Sequence, residues 1–121
     1  MGRKETGTLG EKLAQDFLKK KGFRIMETNY RCPGGEIDII ARQKDCLVFV
    51  EVRTTSGPDF GLPEESITPA KMRRLRNLAF RYRQCHDNLP PVWRIDMVAV
   101  ELDRSGQITR IELIENAVGE D

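Results

Sequence analysis

Acidic side chains at Glu36, Asp38 and Glu51 interrupt two runs of β-branched and apolar residues, Glu36 to Arg42 and Leu47 to Thr54. Runs of that composition, preceded by the turn cluster Cys32-Pro33-Gly34-Gly35 and joined by a short polar loop, predict a β-hairpin. With its turn at Lys44-Asp45, Ile37 faces Val52, Ile39 faces Val50 and Ala41 faces Val48, which makes one wholly apolar, buried face. On the other face Arg42 pairs with Leu47, Ile40 with Phe49, Asp38 with Glu51 and Glu36 with Arg53. Ile40 and Phe49 imply partial cover there too, so the carboxylates sit at the edge of a core. Directly opposed side chains have Cβ atoms ~5 Å apart, and like charges so placed are destabilising. Two such carboxylates share a proton, recruit Arg53 or bind a cation. A hard divalent ion such as Mg²⁺ suits one or two carboxylates completed by waters and a phosphate. A plain ion-pair cluster neutralised by Arg53 fits the hairpin equally well.

A third carboxylate and a set of cations lie outside the hairpin. Residues 8 to 21 read as a helix with Leu9, Leu13, Ala14, Phe17 and Leu18 on one broad face, stopped by Gly22. Glu11 falls at the border of that apolar arc, where it could look toward the acidic edge of the sheet; the helix dipole alone would also favour an acid in this first turn. Thr68-Pro69 is a helix start, a capping hydroxyl followed by a proline at the first helical position. That helix, running to about His86, carries Lys71, Arg73, Arg74, Arg76, Arg81 and Arg83 and no acid. Lys71 lies in the apolar arc but in the first turn, so its amine can pass under the helix start. The other cations flank the arc as a candidate phosphate-tracking face, and the amides after Thr68 could take a phosphate.

The elements that must position these residues read in the order α-β-β-β-α-β-β, an α+β domain. Further strands are predicted over 23 to 31, 92 to 102 and 107 to 114, with a loop over 55 to 67 and a frayed acidic tail over 115 to 121. The chain has 121 residues, room for one domain and a real core. At 39% hydrophobic and 32% charged it reads as a folded chain with a densely charged surface. Lys and Arg number 20 against 19 Asp and Glu, so net charge announces no nucleic-acid binder and any such reading rests on where the charges sit. No apolar run approaches a membrane span or a secretory h-region. Cys32, Cys46 and Cys85 lack zinc or disulfide spacing and read as reduced thiols, so the expected location is the cytoplasm.

Taken together, Leu9-Gly10-Glu11, Gly35-Glu36-Ile37-Asp38-Ile39-Ile40-Ala41 and Val48-Phe49-Val50-Glu51-Val52-Arg53 resemble the YraN-like family of small bacterial proteins. Glu65-Ser66-Ile67-Thr68 with Lys71, and Arg94-Ile95-Asp96, extend the likeness over about residues 8 to 100. That family is similar to the PD-(D/E)xK superfamily of restriction endonucleases and Holliday-junction resolvases. The resemblance implies a restriction-endonuclease-like fold, a central mixed sheet flanked by helices. It also implies a Mg²⁺- or Mn²⁺-dependent nuclease acting on DNA ahead of RNA, with branched or damaged DNA as the expected substrate, and a homodimer as in related resolvases. Asp38 takes the place of the first motif acid, Glu51 of the second, and Glu11 of the helix-one glutamate; the Val52 carbonyl would complete the ligands and Glu36 would support them. Arg53 stands where the superfamily has lysine, and Lys71 is the alternative source of an amine. Arg31, Arg53, Thr68, Lys71, Arg74 and Arg81 are the expected contacts to nucleic acid. The rival expectation is a catalytically inactive nucleic-acid-binding module in repair or recombination, and a third is a protein-interaction domain.

Overall fold

The computed structural model describes residues 2–57 and 61–119. Along the chain these form helix α1 (Arg3–Lys20), strands β1 (Arg24–Cys32), β2 (Gly35–Gln43) and β3 (Cys46–Ser56), and a short 3₁₀ turn (Pro63–Ser66). Helix α2 (Pro69–Cys85) and strands β4 (Val92–Leu102) and β5 (Ile108–Ile114) follow. The strands make one sheet in the order β1-β2-β3-β4-β5, antiparallel throughout except for the parallel β3–β4 pair. That parallel pair follows from the connection, because α2 carries the chain back before β4 begins. The α+β element order matches the expectation, and no helix among the described residues is long and apolar enough to cross a membrane.

The two helices cover opposite faces. Ala14 and Leu18 of α1 pack on Ile39, Ala41, Val48, Val50, Val98 and Val100. Leu75, Leu78, Ala79 and Tyr82 of α2 pack on Ile37, Ile40, Leu47, Phe49 and Ile95. The central strands are therefore covered on both faces, and the partial cover expected over Ile40 and Phe49 is in fact complete. Burying a side chain such as Phe49 contributes roughly 1.5–3 kcal/mol. Close approach of α1 to β3 depends on Gly10, because a Cβ at that position would fall on the side chain of Thr54.

The hairpin register is the expected one where it is laddered: Gln43 pairs with Cys46, Arg42 with Leu47, Ala41 with Val48, Ile40 with Phe49 and Ile39 with Val50. Lys44 takes the left-handed backbone conformation that a two-residue turn requires, with φ 54°. Four expectations need correction. α1 begins at Arg3 rather than Thr8, and the Thr8 hydroxyl donates to the Lys4 carbonyl at 2.9 Å inside the helix instead of starting it. β3 runs on to Ser56 because its parallel partner continues alongside to Leu102, and the former loop also contains the 3₁₀ turn. Ile37 belongs to the core under α2, not to the face of Ile39 and Ala41. Residues 115–119 are not frayed: the Asn116 amide donates to Asp96 at 2.8 Å, Val118 is buried and Arg76 donates to the Gly119 carbonyl. A buried acid short of donors and an apolar side chain two residues further on hold this segment down. Glu120 and Asp121 lie outside the described residues.

Candidate metal centre

The site forms where β2 and β3 stop pairing. Beyond the Ile39–Val50 pair, the Asp38 carboxylate itself accepts the Val52 amide at 2.8 Å, filling the place of a backbone carbonyl. Asp38 thus lies in the seam between the strands instead of standing on one face. Across from it, Asn29 of β1 adopts φ 51°, a left-handed conformation that asparagine tolerates better than most residues. The β1–β2 partners resume as Thr28 with Ile39 and Tyr30 with Ile37, omitting the Asn29–Asp38 level. This local break in the pleat explains why Ile37 and Ile39, two residues apart, enter opposite cores.

Three carboxylates converge at the break. One oxygen each from Glu11, Glu36 and Asp38 lies within 4.8 Å of the others. The Asn29 amide nitrogen donates to Glu36 Oε1 at 2.8 Å and to Glu11 Oε2 at 3.2 Å. From outside, the largely exposed Arg31 reaches Glu36 at 3.4 Å. Glu11 arrives from α1, so docking of that helix through Gly10 completes the cluster. Glu51 is not one of the three; its carboxylate pairs with Arg53 at 3.0 Å and also meets Asp38.

Charge crowding at the seam is strong. Burial first, then the hydrogen bond to Glu51 and the Glu51 charge, push the Asp38 carboxyl up to about 8, against the pull of the Val52 amide. Glu11 is pushed up as well, mainly by burial and then by the Asp38 and Glu36 charges, which together outweigh the Asn29 hydrogen bond. The cluster holds hard oxygen donors with little positive charge among them, the donor chemistry that Mg²⁺ or Mn²⁺ takes.

Beside the carboxylates opens a cleft of about 530 Å³, lined by Gly7, Glu11, Val52, Arg53, Thr54, Thr55, Ser66 and Lys71. Arg53 spends one guanidinium nitrogen on Glu51, while its buried Nε has no hydrogen-bond partner. Lys71 enters the cleft from the first turn of α2, and its amine donates to the Ser66 carbonyl at 3.4 Å. Thr68 caps α2 by accepting the Lys71 amide at 3.2 Å. The 3₁₀ turn behind Ser66 is anchored by Arg110, which binds Glu64 through both guanidinium ends at 3.0 and 2.7 Å and also holds Glu101 and Glu112.

The remaining cations do not form one face. Arg74 and Arg81 lie with Asn77 beside the β1–β2 turn, where Arg81 donates to the Pro33 carbonyl. Arg76 and Arg83 turn the other way, to the Gly119 carbonyl and over the Trp93 ring. Arg94 and the fully buried Asp96 pair with each other at 3.0 Å, apart from the carboxylate cluster. Asn29 lies inside the strand expected over 23 to 31, and its role in the cluster emerges only from the fold. An asparagine inside a β-rich run was the available signal, since the residue disfavours strands and favours left-handed backbone.

Comparison with known proteins places these residues in a family context. Residues 10–100 match the profile described as "Uncharacterised protein family UPF0102". The chain is 48% identical over 121 residues to a UPF0102 protein of Dehalococcoides mccartyi, covering 98% of this chain and 97% of that one. It is 44% identical over 115 residues to a UPF0102 protein of Pelotomaculum thermopropionicum, with 95% and 96% covered. A UPF0102 protein of Moorella thermoacetica is 45% identical over 117 residues, with 97% and 98% covered.

Proposed function

The chain belongs to the UPF0102 family, and on that footing we propose that it is a divalent-metal-dependent nuclease that hydrolyses DNA phosphodiester bonds in the cytoplasm. The observation that carries this reading is the convergence of Glu11, Glu36 and Asp38 within 4.8 Å, beside a cleft lined by Arg53 and Lys71. An anionic substrate that shares the metal calls for acidic ligands and phosphate-binding cations side by side. The restriction-endonuclease-like arrangement implied by the motifs agrees with a mixed sheet whose second and third strands part at Asp38.

Glu11, Glu36 and Asp38 would hold Mg²⁺ or Mn²⁺, with Glu51 and the Val52 carbonyl adjacent. An ion bound there supplies a water of lowered pKa and offsets charge developing on the scissile phosphate. The protein's own groups do the rest. Arg53 lines the cleft and stays protonated throughout, so it would orient and neutralise a phosphate without acting as a base. Lys71, weakly held by Ser66, can turn its amine to the same phosphate. Near neutral pH Asp38 keeps its proton toward Glu51, and it must release that proton before it can act as a ligand. Arg74 and Arg81, on the flank of α2 beside the β1–β2 turn, would track the backbone of a bound strand.

The test is cleavage of labelled duplex, single-stranded, flapped and four-way DNA with Mg²⁺ or Mn²⁺, against EDTA and Asp38→Asn. Metal-dependent cutting lost in the variant is expected. Salt-dependent DNA binding with no cutting would favour the catalytically silent module instead, a reading supported by arginine at position 53. Cleavage unaffected by Asp38→Asn would sink the assignment.

A further inference from the structure

We infer that Asn29 is the positioning residue of the carboxylate centre, holding Glu11 and Glu36 at cation-binding distance before any ion arrives. The inference rests on the metal-binding reading above and adds to it a residue that makes no contact with an ion. An asparagine amide nitrogen carries two hydrogens and can therefore serve two acceptors at once. Here its acceptors are carboxylates from two different elements, Glu36 of β2 at 2.8 Å and Glu11 of α1 at 3.2 Å.

The chemistry of the donor matters. A lysine or arginine in the same place would bind both acids more strongly, but its charge would cancel part of the field that attracts a divalent ion. A neutral amide brings the two carboxylates together and leaves their charge available. Arg31 approaches Glu36 from the solvent side with 84% of its side chain exposed, so water screens its contribution. Asn29 is the donor that links the two acids across elements.

The backbone is bent to put it there. Asn29 has φ 51°, and the β1–β2 ladder skips the Asn29–Asp38 level. A side chain in a regular strand at this position would stand on one face of the sheet, under α1 or under α2. The left-handed twist brings the amide to Glu36 on the neighbouring strand and to Glu11 on the helix above. The same twist frees Asp38 from regular pairing and lets its carboxylate take the Val52 amide.

Glycine adopts left-handed backbone at least as readily as asparagine, so Asn29→Gly removes the donor without straining the chain. The experiment titrates intact metal-free protein with Mn²⁺ by calorimetry and, separately, measures thermal melting in EDTA. Wild type, Asn29→Gly, Asn29→Asp and Asp38→Asn are compared. Asn29→Gly is expected to melt in EDTA at or above the wild-type temperature, yet to bind Mn²⁺ about 10-fold more weakly, as residues that orient metal ligands generally do. Asn29→Asp keeps the shape but replaces the donor with a further carboxylate, so its melting temperature in EDTA is expected to fall. Wild-type Mn²⁺ affinity in Asn29→Gly would overturn this inference alone. Wild type that takes up no Mn²⁺ would overturn the metal reading and this inference with it.

Discussion

Neutralising Asp38 should make the metal-free protein more stable. The carboxyl is carried from an ordinary 3.8 to about 8 by burial and by Glu51, so the folded chain holds a proton that the unfolded chain releases. Below pH 4 both states are protonated and the contribution of Asp38 is at its most favourable. Between about pH 4 and pH 8 the unfolded chain binds fewer protons than the folded one, and stability falls as pH rises. At about 1.4 kcal/mol per tenfold in proton affinity, the full displacement sets a ceiling of about 5–6 kcal/mol by pH 8. Asp38→Asn escapes that cost but gives up the charge assistance on the Val52 amide, a loss on the order of 1–2 kcal/mol. The net gain at pH 8 in EDTA should therefore be at most about 3–5 kcal/mol, roughly 12–20 °C in melting temperature for a chain of this size. The assay is thermal and urea unfolding of both proteins at pH 5 and pH 8. The advantage of the variant should be large at pH 8 and shrink at pH 5, where Asp38 already carries its proton. Added Mg²⁺ or Mn²⁺ should stabilise wild type and leave the variant nearly unmoved. An asparagine variant no more stable than wild type at pH 8 would refute the argument that this carboxylate is held against its own electrostatics.

Two other substitutions test the supports of the site. Gly10→Ala pushes a methyl into Thr54 and should cost about 1–3 kcal/mol in urea unfolding, while weakening Mn²⁺ binding because α1 carries Glu11 away with it. Asp96→Ala leaves Arg94 and the Asn116 amide without their buried acceptor, and should cost about 3–5 kcal/mol by chemical denaturation. Since Asp96 lies outside the carboxylate cluster, cation should not restore that loss.

The sequence made the centre partly legible because much of its geometry is local. The turn at Lys44-Asp45 sets the pairing of the hairpin as far as Ile39 and Val50, and Asp38 and Glu51 just beyond that pair meet through their carboxyls. Thr68-Pro69 announces the start of α2 through its own cap chemistry. Parity fails where backbone conformation departs from the pleat, and nothing in the pattern of apolar residues marks Asn29 as left-handed. Ile37 consequently enters the core opposite to the one that parity predicts. Contacts between distant segments were equally hidden: Arg110 gathers Glu64, Glu101 and Glu112 from the 3₁₀ turn, β4 and β5, and the buried Asp96 draws in the C-terminal segment. Charge counting along α2 overstated its unity, because a helix face sorts cations by angle and Arg76 and Arg83 turn away from Arg74 and Arg81.

The position of Asp38 in the seam between two cores ties assembly of the carboxylates to the docking of both helices. Ile39 on one side of it is pinned under α1, and Ile37 on the other is pinned under α2. Neither helix alone can hold both neighbours, so the carboxylates come into register only after the amino-terminal helix and the much later second helix have both docked. Loss of packing under α2 should therefore loosen Asp38 along with Ile37.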